Sequence, residues 1–342
     1  MTKHNSITVL ADSECIAGID QTIHGLTETL KTTHDVLCLS GGISNCFRET
    51  FDLHCLSCLD MRPKSVASEK KTHFTRIGER EASLYKENFA KLKVDGVIAV
   101  GGYETLSTAL CLKNIGIPII AIPNGPNIDI EGTDYVVGFD SYVENWKNNV
   151  SEYVKVLKTN KSVGVLEVPN HSSGHAAAAI GLATNACYIG IPEISIQIDD
   201  LIKNAANSYK KKGYALVIIN QTFQCSSQNI SPELCRKTQY ATGSAGKIIS
   251  DLIKTATKIS SEHPQFDFFN HSRETSKDGL LGLRQGIKAA EMVLNEQWWG
   301  LMTAIRGNKI LSVPLDNFQG SRTLDENNYL YGLVTDRNLG KI

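Results

Sequence analysis

Gly101-Gly102 stands between a run of β-branched and small apolar residues, Gly96–Val100, and a helix-length stretch that begins near Thr105. A glycine pair at a strand-to-helix junction lets backbone N–H groups approach a phosphate at the helix N-terminus. The same pair also serves as a plain tight turn, so its meaning depends on what surrounds it. A second pattern, His54-Cys55-Leu56-Ser57-Cys58, has the spacing of a zinc or redox motif. No second Cys/His pair at structural-zinc spacing accompanies it and no helix signal follows, so two packed thiols is the better reading. The nine cysteines are odd in number and dispersed, as expected of reduced thiols that behave as small hydrophobes.

The elements that must position such residues follow from periodicity. Ser6–Leu10, Asp35–Leu39, Gly96–Val100, Pro118–Ile122, Val163–Val168, Tyr188–Ile191 and Ala215–Asn220 read as strands. Between most of them lie stretches of 3.6-type periodicity: Ile19–Leu30, Glu79–Leu92, Thr105–Ile115, Val143–Leu157, His175–Ala186 and Asp199–Lys212. This alternation predicts an α/β protein with parallel sheets covered by helices and right-handed crossovers. Ligands in such folds bind at the carboxyl ends of strands. The stretches to watch are therefore Ala11–Gly18, Gly101–Thr105, Pro123–Gly132 and Pro169–Gly174.

Composition removes several function classes. Apolar residues make up 42% and charged residues 21% of 342, and the formal net charge is −1. No global field recruits nucleic acid or an anionic membrane. No apolar run reaches 18 residues, and Met-Thr-Lys-His-Asn-Ser at the N-terminus lacks an apolar signal core. The expectation is a soluble, cytoplasmic protein of two intertwined lobes.

The stretch Val94-Asp-Gly-Val-Ile-Ala-Val-Gly-Gly-Tyr-Glu-Thr-Leu-Ser-Thr-Ala, followed by Gly116-Ile-Pro-Ile-Ile-Ala-Ile-Pro123 and Ile130-Glu-Gly-Thr-Asp-Tyr-Val-Val-Gly-Phe139, resembles the phosphofructokinases. The likeness continues through Val163-Gly-Val-Leu-Glu-Val-Pro-Asn-His-Ser-Ser-Gly174, Ile191-Pro-Glu193, Gly213-Tyr-Ala-Leu-Val-Ile-Ile-Asn and Arg284-Gln-Gly-Ile-Lys-Ala-Ala-Glu291. The resemblance implies a nucleotide-binding lobe over 1–143 with 260–315 and a sugar-phosphate lobe over 144–259 with 316–342. It also implies a homo-oligomer, dimer or tetramer, whose sugar-phosphate site borrows basic residues from a neighbouring subunit.

The family's chemistry carries over less completely. Where the family has an Asp serving the Mg²⁺–phosphate complex after Gly101-Gly102, this chain has Tyr103, followed by Glu104 in place of a Gly and then Thr105. A phenol is uncharged at neutral pH and does not suit a hard cation. The position of the family's catalytic base is taken by Asn127, with Gly125 in place of Thr, while Asp129 matches the last Asp of that loop. In the first loop Ser13 and Glu14 replace the paired glycines and Gly18 is kept. Glu14 is read chiefly as a helix cap. On the sugar-phosphate side Pro169, Asn170 and His171 stand for Met-Gly-Arg, Gln221 for the substrate Glu, and Ser162 for the neighbour's Arg. Glu193 matches a residue of the effector site in bacterial relatives. Of the arginines a phosphate clamp needs, Arg76 and Arg273 lie near suitable positions, with Asn270 and His271 nearby.

The resulting expectation is a phosphofructokinase-like protein that has lost 6-phosphofructokinase activity and acts as a ligand-binding, regulatory or assembly subunit, with no resident metal or cofactor expected. Two alternatives stand beside it. One is an enzyme of altered chemistry using Glu104, Asp129, His171 and Gln221. The other is a divergent active 6-phosphofructokinase, for which Mg²⁺ with ATP or pyrophosphate would be needed. A small phosphorylated ligand is the expected partner in either case, with no nucleic acid and no membrane.

Overall fold

The structure, a computed structural model, describes residues 5–11, 17–39, 53–55, 79–92, 94–126, 128–169, 173–222, 225–226, 245–264, 273–295, 299–318 and 322–342. The chain divides into two compact units. Unit 1 comprises Met1–Tyr142 with Ser272–Gly320, and unit 2 comprises Val143–His271 with Ser321–Ile342. The sequence reading put residues 260–271 in the first lobe. Strand Ser261–Glu262 instead pairs with Val163-Gly164 of unit 2, which draws that stretch into unit 2.

Unit 1 is built on a seven-stranded sheet. Its strands are β1 (Asn5–Ala11), β2 (His34–Leu39), β3 (Leu53–Cys55), β4 (Gly96–Gly101), β5 (Ile119–Pro123), β12 (Trp299–Arg306) and β13 (Lys309–Pro314). Their order across the sheet is β13-β12-β5-β4-β1-β2-β3, and only β3 and β13 run antiparallel to their neighbours. Strands β4 and β5 are buried parallel neighbours, pairing from Val97↔Ile119 to Gly101↔Pro123, as expected for residues 96–100 and 118–122. Alternation explains why these runs are apolar throughout. Ile98 and Val100 pack with Ile120, Ile122 and helix residues such as Ile23 and Val293 on one face, while Val97 and Ala99 pack with Leu106, Ala109 and Tyr85 on the other.

The first face is covered by α1 (Ile19–Leu30) and α8 (Ser276–Leu294), and the second by α2 (Glu79–Leu92) and α3 (Tyr103–Asn114). Glycines set the α1–α8 distance. A Cβ on Gly286 would lie 2.0 Å from the Thr22 carbonyl oxygen, one on Gly282 2.3 Å from Gly18 O, and one on Gly25 2.4 Å from Leu283 O. The two helix backbones are therefore in contact.

Unit 2 holds a parallel sheet of order β11-β6-β9-β7: Ser261–Glu262, Val163–Val168, Ala215–Asn220 and Tyr188–Gly190. A second, two-stranded sheet pairs β8 (Ile196–Gln197) with β10 (Cys225–Ser226). Helices α4 (Phe139–Asn160, whose first residues belong to unit 1), α5 (His175–Ala183), α6 (Ile198–Lys212) and α7 (Ala245–Thr257) complete the layers. The last helix, α9 (Tyr329–Asn338), packs on α5 and β7. Its Asn338 carboxamide accepts Ile189 N–H (2.9 Å) and donates to Ile189 O (2.8 Å), satisfying an edge-strand residue as a further strand would.

Helix limits moved where glycine geometry decided them. Helix α3 begins at Tyr103 rather than Thr105, because Gly102 is its extended N-cap. Helix α4 begins at Phe139 rather than Val143: Gly138 turns the chain at φ 108° and its carbonyl already accepts Tyr142 N–H.

Candidate functional site

In unit 1 the carboxyl ends of β4 and β5 bring Gly101, Gly102, Gly125 and Gly18 together around Asn124. Asn124 N–H donates to Gly101 O (2.9 Å), and its side-chain amide donates to Ala17 O (3.1 Å). Gly125 N–H donates to Val137 O (2.8 Å), and Gly138 packs so tightly on Gly125 that a Cβ would lie 2.9 Å from Gly125 O. Thr105 is buried against Gly101, where a Cβ would meet its Oγ1 at 2.3 Å. Gly101 thus has a packing reason. Gly102 has none among the described residues: of these, a Cβ there would meet only Asn124 O, at 3.8 Å. Gly125 is equally open towards Gly102, with 3.7 Å to its Cα, and its φ of 155° favours glycine.

The space beside Gly102 at the N-terminus of α3 is lined, among the described residues, by backbone. Among the described residues, no side-chain acceptor is seated on the N–H of Gly102 or Tyr103. Tyr103 leans its ring edge-on against Phe318, with centroids 5.2 Å apart, and remains 40% exposed. Glu104 is half-buried and Asp129 is buried. Asn127, Ser13 and Glu14 lie outside the described residues.

Other helix N-termini are filled from within the chain. Gly18, the left-handed N-cap of α1 at φ 79°, donates its N–H to Glu274 Oε2 (2.8 Å). Burial, with the charges of Asp20 and Asp278, raises the Glu274 carboxyl above the usual range. At α4, Asp278 accepts Ser141 N–H (2.7 Å), Ser141 Oγ (2.6 Å) and the Tyr135 hydroxyl (2.8 Å). Burial, then the Asp278 charge, holds the Tyr135 phenol protonated. At α5, Glu193 Oε1 accepts the N–H of Gly174 and of Leu324, each at 2.9 Å. At α7, Glu167 Oε2 accepts Gly246 N–H (2.9 Å).

On the unit 2 side, Pro169 and Gln221 sit together at the carboxyl ends of β6 and β9, where Gln221 N–H donates to Val168 O (3.1 Å). Ser162 lies at the opposite end of β6, roughly 20 Å away at the ordinary strand rise. It is buried, with its hydroxyl directed to Glu262. Asn170 and His171 lie outside the described residues, as do Arg76, Asn270 and His271. Arg273 is exposed. Beside the α5 N-terminus, His175 is fully buried with Nδ1 2.9 Å from Ser173 Oγ. Burial, and secondarily Arg322, pushes its imidazole down to about 4.

Two of the cysteines behave as hydrophobes: burial raises Cys38 and Cys187 to about 11, so both stay thiols near neutral pH. Cys58 lies outside the described residues. No described helix is long and apolar enough to cross a membrane.

Sequence reasoning missed Asn124, Glu274 and Asp278. A signal existed for the last: Thr275-x-x-Asp278 has capping-box spacing, and Thr275 Oγ1 accepts Asp278 N–H (3.3 Å). The Gly132-Thr133-Asp134 triplet proves to be a brace to the β12–β13 hairpin, with Thr133 Oγ1 accepting Ile305 N–H (2.9 Å) and Asp134 pairing with Arg306.

Comparison with known proteins places this geometry in context. The family model described as phosphofructokinase matches residues 6–293. A pyrophosphate–fructose 6-phosphate 1-phosphotransferase of Dictyoglomus thermophilum is 28% identical over 251 residues, covering 71% of each chain. The ATP-dependent 6-phosphofructokinase 3 of Bacteroides thetaiotaomicron is 25% identical over 331 residues, 93% of this chain and 94% of that one. Among solved structures, the pyrophosphate-dependent phosphofructokinase of Nitrosospira multiformis superposes with a TM-score of 0.77 at 17% identity, covering 100% of this chain and 92% of the other. That likeness establishes the shared fold.

Proposed function

The chain belongs to the phosphofructokinase family, and on that premise we propose that it binds a small phosphorylated ligand at the α3 N-terminus without transferring a phosphoryl group. It acts as a ligand-binding, regulatory or assembly subunit, a homo-oligomer of the cytoplasm. The observation that carries this reading is the pairing of an open glycine cradle at Gly102 and Gly125 with Tyr103 at the position of the family's metal carboxylate. Backbone N–H groups and the helix dipole are enough to hold an anion. Transfer needs more: a cationic clamp on the moving phosphoryl and a group to orient or deprotonate the acceptor.

The described donors do not fit Mg²⁺ held as in the family. Tyr103 offers a neutral phenol that rests on Phe318, and no group of three or more His, Cys, Asp or Glu among the described residues is placed to hold a metal. Asn127, at the base position, cannot take a proton, and loss of a general base typically costs about 10²–10⁴ in rate.

Calorimetric titration with ADP, pyrophosphate and fructose 6-phosphate, with and without Mg²⁺, tests the binding half. At least one phosphorylated compound should bind, and Tyr103→Asp should make that binding Mg²⁺-dependent. A coupled assay with ATP or pyrophosphate tests the other half, and no fructose 6-phosphate should be phosphorylated. Turnover near 1 per second, roughly the lower end for kinases, would overturn the reading.

A second reading, phosphoryl transfer to fructose 6-phosphate, is favoured by the activities for which the relatives are named and by Asp129, which is kept and buried. If turnover is found and Asp129→Asn abolishes it, Asp129 is the base.

A further inference from the structure

Helix α8 presents two unlike faces. Gly282 and Gly286 are pressed against the α1 backbone, so the helix cannot roll about its axis. The side of α8 away from those glycines carries Leu280 (59% exposed), Leu294 (44%) and, at the border with α1, Ile287 (36%), whose Cγ1 would lie 3.3 Å from a Cβ on Gly25. These are three of the large apolar side chains that the molecule leaves in solvent, and they are spaced by seven residues each. A seven-residue repeat drifts only about 20° per step around a helix. The three therefore form one stripe along the axis, about 21 Å long at 1.5 Å per residue.

The stripe is symmetric about Ile287. A two-fold axis through Ile287, with two α8 helices antiparallel, seats Leu280 on Leu294 of the partner subunit and Leu294 on the partner's Leu280. The charges follow the same rule. Arg284 and Glu291 flank Ile287 on the solvent side, three residues before it and four after it. Antiparallel pairing sets Arg284 beside the partner's Glu291, twice, whereas in parallel pairing the two lie on opposite flanks and do not meet. Both side chains are already held on this face. Arg284 Nη2 donates to Asn308 O (2.6 Å), and Lys288 Nζ pairs with Glu291 Oε2 (3.3 Å). Leu311, on the adjacent edge strand β13, adds a fourth exposed apolar side chain.

We infer that the outward face of α8 is a self-complementary interface between two copies of this chain, related by a two-fold axis at Ile287. An isologous contact requires one patch to match itself, and the Leu280–Ile287–Leu294 spacing with the Arg284/Glu291 arrangement satisfies that requirement. The inference concerns assembly and stands apart from what the α3 cradle binds.

The full-length protein at micromolar concentration should be an oligomer by analytical ultracentrifugation. Ile287→Asp should halve its mass with an unchanged circular dichroism spectrum. The dissociation constant should rise about 100-fold or more, because the axis repeats the buried charge on both sides. Mild oxidation of Ile287→Cys should give a 287–287 cross-link between chains, identified by mass spectrometry. Leu280→Cys alone should give no cross-link through residue 280, and Leu280→Cys with Leu294→Cys should give a 280–294 link. A monomeric wild type, or an oligomer whose mass survives Ile287→Asp, overturns the inference. Should Ile287→Asp fail to fold, the cross-links decide: a 287–287 link supports the axis and its absence refutes it.

Discussion

Helix α3 and helix α5 both follow strands of a parallel sheet, and both begin at a glycine N-cap, yet their N-termini are used differently. At α5 the Gly174 N–H is taken by Glu193, whose carboxylate also holds Leu324 of the C-terminal segment. Among the described residues, the N–H groups of Gly102 and Tyr103 at α3 meet no side-chain acceptor, and no atom lies closer than 3.8 Å to a Cβ placed on Gly102. A helix N-terminus attracts negative charge wherever it occurs. Where the chain supplies its own carboxylate, as at α1, α4, α5 and α7, that attraction stabilises the fold. Where no described side chain supplies one, as at Gly102 and Tyr103, the proposed function gives that attraction to a ligand.

The comparison breaks most visibly if Glu193 can be removed without consequence. Glu193→Ala leaves two N–H groups without their charged acceptor, and bonds of that kind contribute about 1.5–3 kcal/mol each. Urea unfolding should show a loss of roughly 4 kcal/mol, with new protease cleavage near Leu324. A change under about 1 kcal/mol would mean that water replaces the carboxylate and that α5 is no more filled than α3.

Next in size is a pH effect at the same helix. The unfolded chain protonates histidine near 6.5, whereas native His175 stays neutral until about 4. Native stability is therefore complete above pH 6.5 and declines as the pH falls towards 4. Between pH 7 and pH 5 the wild type should lose about 2 kcal/mol more than His175→Asn, by 1.36 kcal/mol per unit. Equal slopes for the two proteins would show that His175 already carries its proton.

Gly102→Ala sharpens the contrast from the other side. Its φ of −82° and ψ of −160° suit alanine, and among the described residues the added methyl meets nothing closer than Asn124 O. Stability should stay within about 0.5 kcal/mol, the range of harmless surface changes. Affinity for the phosphorylated ligand should fall about tenfold, equivalent to ~1.4 kcal/mol. If affinity is untouched, the ligand does not enter the cradle.

The smallest effect belongs to Glu274. Its carboxyl is raised by burial and by its acidic neighbours, so ionisation costs stability as the pH rises above the ordinary glutamate range. Glu274→Gln keeps an acceptor for Gly18 N–H and should leave thermal stability at pH 7 equal to the wild type or slightly higher. A clear loss would show that the full charge is needed at the α1 N-terminus.

Much of the scaffold was legible in the sequence for a local reason. Strands β4 and β5 are buried on both faces, so every residue from Val97 to Val100 and from Ile119 to Ile122 must be apolar, and such runs stand out in any order of reading. The glycines of the α3 junction were legible too. What separated Gly101 from Gly102 was not, since one is required by Thr105 packed against it and the other meets no described atom closer than 3.8 Å.

By itself, then, the sequence determined the alternation of strands and helices, the family, and that a tyrosine and an asparagine stand at 103 and 127. Those properties are carried by residues adjacent along the chain. The tertiary structure alone decided which helix N-termini are filled. Glu274 reaches Gly18 across 256 positions, Asp278 reaches Ser141 across 137, and Glu193 joins Gly174 to Leu324. A carboxylate's effect depends on the few ångströms between charge and dipole, and only folding sets that distance.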